Sequence, residues 1–129
     1  MKYRSKIIAN DIEGLQIIAA HCAGAEVLVS DIKYLQSNKV FLISLERSKV
    51  ESENEDKKIN SICKFEFIEK VKSKNIRQDN PDQKLELLTM DYLKNKEKYE
   101  INLIFANNAY IALSSEIIDV CLEDQLKFN

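Results

Sequence analysis

The sequence predicts a mainly β protein, α+β by element count, with about six antiparallel strands and a helix at each end. Apolar and polar residues alternate within residues 64–67, 85–87 and 99–103, which places every second side chain on one face of a strand. Polar turn signals separate these runs, so successive strands are expected to join as an antiparallel meander with one solvated face. Apolar residues recur at helical spacing near both ends of the chain.

An N-terminal helix is predicted over residues 10–22. Asn10 can cap it, because Glu13 lies three residues later and completes a capping-box pattern. Gly24 is suited to end the helix in a left-handed conformation. The apolar stripe of the helix comprises Ile12, Leu15, Ile18, Ala19 and Cys22.

A hairpin is predicted to follow this helix. Residues 26–35 and 40–49 have the composition of two strands, and the polar residues 36–39 join them. Residues 48–60 are almost wholly charged or polar, so we expect them to form an exposed loop that is the least ordered part of the chain.

The remaining strands are separated by segments rich in turn-forming residues. A loop at residues 76–84 contains Pro81, and a charged turn occupies residues 94–98. Asn107-Asn108 closes a second hairpin, since asparagine tolerates positive φ. These strands are predicted at residues 63–74, with a bend near Ile68, and at residues 85–93, 99–105 and 109–113.

A C-terminal helix is predicted over residues 115–126, with Ser114 or Ser115 as its cap and acidic residues in its first turn. Its apolar face comprises Ile117, Ile118, Cys121, Leu122 and Leu126. Because a meander of this size twists and tends to curl, we expect a pleckstrin-homology-like half-open barrel that this helix caps. An open sheet with both helices packed on one face is the alternative.

Composition bounds the class of protein. At 129 residues the chain fits a single domain, residues 1–129. Its net charge of −2 gives no general attraction to nucleic acid. No apolar run approaches the roughly 20 residues of a transmembrane segment. The three cysteines lack CxxC spacing, so we expect free thiols in a reducing, cytoplasmic location.

Six short stretches carry a family resemblance through their order and spacing. They are D-I-E-G-L at 11–15, A-H-C-A-G-A at 20–25, V-F-L-I-S-L-E-R at 40–47, F-E-F-I-E-K-V-K-S-K-N-I at 65–76, N-P-D-Q-K-L-E-L-L at 80–88 and I-F-A-N-N at 104–108. Over roughly residues 7–124 the chain thereby resembles an uncharacterised bacterial family, domain of unknown function 2948.

The chain departs from this family at two places. The family tends to have Gln-Asp at Ala23-Gly24 and an aromatic residue at Ser48 and Val50, which argues against a strict catalytic role at either place. The resemblance implies a shared fold and no particular activity.

A basic stripe is the strongest candidate binding feature. Lys70, Lys72 and Lys74 recur at spacing two, so they share one strand face, and Arg77 follows them. Their fields add to a local positive patch on an acidic protein. Lys72 and Lys74 match basic positions of the resembling family, and basic residues near the rim of pleckstrin-homology-like barrels often meet anionic groups. The alternative is an edge strand that its lysines protect against aggregation.

Arg47, near the end of the second predicted strand, is a further candidate. It can form part of an anion site, because its planar guanidinium suits carboxylates and phosphates. It can equally form a surface salt bridge with Glu51.

No catalytic or metal-binding constellation is predicted. His21 and Cys22 are neighbours, but successive helical side chains point about 100° apart and do not face each other. Cys22, Cys63 and Cys121 are remote from one another in the sequence, whereas zinc ligands usually come in close pairs. An acidic cluster after the second strand lacks the glycine and ligand order of a calcium loop; it comprises Glu51, Glu53, Glu55 and Asp56.

The leading hypothesis is therefore a non-catalytic binding or adaptor module without a cofactor. It would recognise an acidic protein segment or an anionic group through the basic stripe, with an edge strand available for backbone pairing. One alternative is a small-molecule-binding protein or weak enzyme with its site in the mouth of the sheet, near His21. Another is a structural subunit that dimerises through a sheet edge; the sequence leaves the oligomeric state open.

Overall fold

The computed structural model describes residues 6–52 and 55–125, and it describes side-chain surroundings for residues 6–47 and 58–125. Within these ranges the chain forms ten β-strands and one α-helix, α1 (Ile12–Cys22). The strands are β1 (Lys6–Ala9), β2 (Glu26–Leu28), β3 (Ile32–Leu35), β4 (Val40–Ser52), β5 (Glu55–Phe65), β6 (Ile68–Lys74), β7 (Lys84–Asn95), β8 (Lys98–Phe105), β9 (Ala109–Ser115) and β10 (Val120–Asp124).

The strands form one antiparallel sheet with the order β1-β10-β5-β4-β2-β7-β8-β9-β6, and β3 also pairs with β4. The end strands β1 and β6 do not pair with each other, so the sheet is not closed within the described residues. The predicted mainly β, antiparallel class is confirmed. The count of six strands, the C-terminal helix and the pleckstrin-homology-like barrel are not supported, and neither is the alternative with two helices on an open sheet.

Helix α1 is capped by Asp11 rather than by the predicted Asn10. Asp11 Oδ1 accepts a hydrogen bond of 2.7 Å from the backbone N–H of Gly14. Gly24, with a φ of 85°, then turns the chain towards β2. The buried face of the helix comprises Leu15, Ile18, Ala19 and Cys22.

The first predicted hairpin forms, but its first strand is interrupted. A 3₁₀ turn at Val29–Asp31 separates β2 from β3, and both strands run antiparallel to β4. Because of this interruption, β2 also pairs with β7 and joins the two halves of the sheet. Sequence periodicity could not reveal the interruption, since Val29 remains buried within it.

The loop predicted at residues 48–60 is wrong. The backbone of β4 continues to Ser52, and that of β5 starts at Glu55, with Lys49 opposite Lys57. Strand pairing is a backbone property, so a hairpin can continue through a stretch of polar sequence. Residues 53–54 lie outside the described ranges.

The single bent strand predicted at residues 63–74 is two strands in different parts of the sheet. β5 ends at Phe65, where it lies between β4 and β10, whereas β6 pairs with β9. Phe67 between them has a φ of 60°, an uncommon conformation for a non-glycine residue that redirects the chain.

The β7–β8–β9 meander confirms the predicted strands and turns with small shifts at their ends. Asn107 and Asn108 both adopt positive φ, 66° and 60°, as their turn chemistry predicts. The charged turn between β7 and β8 is shorter than predicted, because the two strands extend to Asn95 and Lys98.

The C-terminal helix predicted at residues 115–126 is wrong: this segment contains the end of β9 and the whole of β10. Val120, Leu122 and Asp124 are buried, so the true periodicity is two. β10 pairs with β5 on one side and with β1, which was not predicted, on the other. Leu126 lies outside the described residues.

The core is a buried cluster on the inner face of the sheet, to which the buried face of α1 also belongs. The Phe41 and Phe65 rings pack edge to face with their centroids 5.9 Å apart, which joins the first two long strands. The inner face of β9 contributes Ile111 and Leu113 to the same buried cluster. The opposite, outer face of the sheet carries the polar side chains, including the basic stripe.

Candidate binding face

The lysines of the basic stripe lie together on β6. Lys70, Lys72 and Lys74 are exposed, and alternation along the strand places all three on its outer face. We call these three side chains the basic face. Val71 is half-buried and points to the opposite side. β6 is the last strand in the sheet order, and among the described strands it pairs with β9 alone, so its other edge carries no strand there.

The charges of the basic face have no partner among the described residues. Lys70, Lys72 and Lys74 make no ion pair there. By contrast, Glu69 on the same strand forms an ion pair with Lys98 from β8, with Nζ 3.1 Å from Oε2. The positive potential of the basic face is therefore not neutralised locally and remains available to an external anion.

Arg77 lies in the loop that follows β6. Its Nε is 3.5 Å from Asp79 Oδ1, and both side chains are largely exposed. The backbone N–H of Arg77 donates to Gln83 Oε1 at 3.2 Å. An exposed pair of this kind is weak and exchanges easily, so Arg77 can still turn towards a ligand of the basic face.

A shallow groove of about 900 Å³, the outer groove, crosses the outer face of β6, β7, β8 and β9. Lys72 and Lys74 form its β6 rim, and Tyr110 and Ile104 contribute to its floor. Asp91 and Glu100 also line it. Glu100 is two strands from Lys70 in register, about 10 Å away. The outer groove is thus positive at its β6 rim and negative across its floor.

A second opening, the edge cleft, lies between β3 and β6. Its volume is about 220 Å³, and it is lined by Val29, Ile32, Tyr34, Phe41, Val71, Ser73, Ile76, Gln78 and Ile111. At one end Tyr34 Oη donates to the Ile68 carbonyl at 2.8 Å, and the Ile68 N–H donates to the Lys39 carbonyl at 2.8 Å. Farther along, the facing edges of β3 and β6 remain unpaired with each other.

Sequence reasoning missed Lys33 as a neighbour of the basic face. Lys33 is exposed on β3, and it alternates with Ile32 and Tyr34, which line the edge cleft. The cleft therefore has lysines on both of its outer rims. No sequence signal links Lys33 to Lys72, because only the tertiary structure brings β3 opposite β6.

Arg47 does not join this face. It is buried at 6% exposure, and its Nη2 lies 2.7 Å from Asp124 Oδ1. Its Nε donates to Ser61 Oγ at 3.0 Å, and that hydroxyl donates to the same Asp124 oxygen at 2.7 Å. The Arg47 guanidinium is therefore bound to core residues and cannot contact an external anion. This corrects the prediction of Arg47 as an anion-site residue. The side chain of Glu51 lies outside the described residues.

Cys22 and Cys63, remote in sequence, meet in the core. A hydrogen bond from Cys63 lowers the pKa of the Cys22 thiol, and burial raises the pKa of Cys63 well above its usual value.

His21 is exposed at the end of α1. Among the described residues, no group of three or more His, Cys, Asp or Glu side chains is arranged to hold a metal ion. The acidic cluster at residues 51–56 lies outside the described side chains.

An acidic row on the outer face of the other half of the sheet was also missed. Glu46, Glu26 and Glu86 lie directly opposite one another on β4, β2 and β7. The Lys58 Nζ lies 3.5 Å from Glu46 Oε1 and partly offsets the repulsion between like charges. Glu26 and Glu46 line a hollow of about 460 Å³ together with Lys84. The molecule therefore has basic and acidic outer faces in separate regions.

Comparison with known proteins identifies the family of the chain. Residues 5–128 match the family described as "Protein of unknown function (DUF2948)", so the chain belongs to that family. Neither the curated proteins nor the solved structures contain a significant match. In the part of the chain that the structure describes, no helix is both long and apolar enough to span a membrane.

Proposed function

We propose that this member of the DUF2948 family is a non-catalytic binding or adaptor module that recognises an acidic protein segment through its basic face. The observation that carries the proposal is the free edge of β6, which presents Lys70, Lys72 and Lys74 on one face without ion-pair partners among the described residues. Arg77, in the next loop, extends the positive region. A cytoplasmic location stays a prediction.

An extended segment fits this arrangement better than a compact anion. Alternate residues of an extended strand repeat at about 6.5–7 Å, and alternate residues of β6 repeat at the same distance. A segment with an acidic residue at every second position can therefore meet Lys70, Lys72 and Lys74 in step. A single phosphate or carboxylate would contact one or two of the lysines at most.

The expected affinity is moderate. Exposed ion pairs contribute about 0.2–1 kcal/mol each, and salt screens them over about 8 Å at physiological ionic strength. Lysine contacts alone would therefore give weak, salt-sensitive binding, with the charges acting mainly on association rate and partner choice. Tighter binding requires additional contacts along the edge of β6.

A second copy of this chain, paired β6 to β6, is a poor partner. Such pairing would bring two sets of Lys70, Lys72 and Lys74 side by side, and like charges on neighbouring strands repel. The structural-dimer alternative therefore has no support at this edge. The small-molecule alternative placed its site near His21, which lines neither the outer groove nor the edge cleft.

The test compares the wild type with the Lys72→Glu, Lys74→Glu double variant. The matched control is Lys64→Glu, Lys96→Glu, which changes the net charge equally at exposed positions away from β6. Binding to a fluorescent glutamate-rich peptide is measured by anisotropy in low and physiological salt. We expect the first variant to weaken binding at least tenfold, about 1.4 kcal/mol, and the control to weaken it less than threefold. Equal losses in both variants would show that only net charge matters and would refute the proposed face.

A further inference from the structure

We infer that the acidic segment binds as an added β-strand on the free edge of β6, with acidic residues alternating with aliphatic residues that enter the edge cleft. The inference rests on the proposed function and specifies its ligand. The observation that supports it is the position of the edge cleft, which opens directly beside the unpaired edge of β6, the strand that carries the basic face.

The backbone of β6 offers the first part of the site. Within residues 6–52 and 55–125, β6 pairs with β9 on one side only, and β3 pairs with β4 on one side only. Each of these strands thus has a row of unpaired N–H and C=O groups, which is the template for strand addition. Tyr34 and Lys39 bridge the gap at the Ile68 end of β6, so the open part of the edge lies beside residues 70–74.

The two sides of an added strand would meet different chemistry. On the inner side it would lie beside Val71 and Ser73, above an apolar floor that includes Phe41 and Ile111. The volume of about 220 Å³ suits one or two aliphatic side chains, since an apolar cavity of roughly 150 Å³ holds a benzene molecule. These inner positions would therefore select apolar side chains.

On the outer side the added strand would lie between lysines. Lys70, Lys72 and Lys74 flank it from β6, and Lys33 flanks it from β3. Because side chains of a strand alternate between its faces, the outer positions are every second residue. Charge complementarity at these positions selects glutamate or aspartate, so the recognised pattern alternates acidic and aliphatic residues.

The outer groove is the competing place for an acidic segment, and its charges argue against it. A segment lying across the groove would pass over Asp91 and Glu100, which line the groove together with the β6 lysines. The acidic side chains of the segment would be repelled by these two carboxylates. A segment beside the free edge of β6 keeps the lysines between itself and those carboxylates, so the edge position is favoured.

Five eight-residue peptides test this mode on the full chain. The first alternates glutamate and valine, the second alternates glutamate and serine, and the third has four glutamates followed by four valines. The fourth and fifth are glutamate–valine peptides in which every second backbone nitrogen is methylated, one peptide for each of the two possible phases. We expect the unmodified alternating glutamate–valine peptide to bind at least tenfold more tightly than the serine and block peptides. One phase of methylation should remove this advantage, because it blocks hydrogen bonding along one edge of the strand.

A variant in the edge cleft isolates the apolar contribution. Ser73→Leu fills part of the cleft and keeps every lysine, and Ser44→Leu on the outer face of β4 is its matched control. Ser73→Leu should reduce binding of the glutamate–valine peptide to the level of the glutamate–serine peptide, and Ser44→Leu should leave both unchanged.

The outcomes separate the inference from the proposed function. Equal binding of the alternating and block peptides, with sensitivity to Lys72→Glu and Lys74→Glu, would overturn strand addition and leave the basic face as a docking surface. Insensitivity to both methylation phases would also overturn strand addition. Absence of binding by every acidic peptide would overturn both proposals and indicate that the lysines only protect an edge strand against aggregation.

Discussion

Replacement of Asp124 by alanine tests how β10 is held in the sheet. The Arg47 and Asp124 side chains are 7% and 8% exposed, and Ser61 hydrogen-bonds to both. Asp124→Ala would leave a guanidinium in the core without its main partner. A buried charge without a partner destabilises the folded state because the desolvation is no longer offset.

The magnitude follows from this geometry. With Nη2 2.7 Å from Oδ1, the charge centres lie about 4 Å apart, and their attraction is about 4 kcal/mol at an effective dielectric constant near 20. Removal of one partner of such a buried pair costs about 3–5 kcal/mol. For a chain of 129 residues this corresponds to a decrease in Tm of about 10–20 °C.

Urea unfolding, monitored by circular dichroism, measures the loss of stability. An unchanged dependence of the free energy of unfolding on urea concentration shows that the unfolded state is not altered. The control is the Arg47→Met, Asp124→Leu double variant, which removes both charges and fills their volume with apolar groups. It should lie within about 2 kcal/mol of the wild type, since apolar replacements of buried ion pairs are often neutral or stabilising. A loss below about 1 kcal/mol for Asp124→Ala, or a double variant as unstable as the single one, would refute this reasoning.

Two further predictions concern the core. Under native conditions a thiol-alkylating reagent should modify the half-buried Cys121 first. Cys22 and Cys63 should react only after unfolding, because both are fully buried. Peptide mass spectrometry gives the order of modification, and early labelling of Cys63 would contradict its burial. Gly14→Ala should destabilise the protein by about 1–3 kcal/mol in thermal or urea unfolding, because the added Cβ would lie 2.9 Å from Ala9 Cα and Cβ. This clash should outweigh the preference of about 1 kcal/mol that alanine has over glycine in a helix. A gain in stability would show that β1 can move away from α1.

The elements that sequence reasoning predicted correctly are those with local signals. The apolar stripe of α1, the alternation within β7 and β8 and the asparagine turn before β9 each act over a few residues, so they can be read without the fold. The extent of the β4–β5 hairpin has no such signal, because hydrogen bonds between backbones continue through polar side chains.

β10 shows why the C-terminal prediction was wrong. Residues 115–126 carry apolar residues that fit a helical stripe, and nothing near Asp124 in the sequence indicates that this carboxylate is buried. In the structure Asp124 is an inward-facing residue that accepts a hydrogen bond from Arg47, 77 positions away in sequence. Once Asp124 counts as buried, Val120, Leu122 and Asp124 show the period of a strand.

The candidate site divides in the same way. The sequence by itself determined that Lys70, Lys72 and Lys74 share a face, because strand alternation depends only on spacing along the chain. Only the tertiary structure decided that β6 is an end strand, that Lys33 and the edge cleft lie beside it, and that Arg47 is a core residue. These facts depend on which distant segments pair, and pairing is settled by the burial of the whole sheet at once, not by any local stretch of the chain.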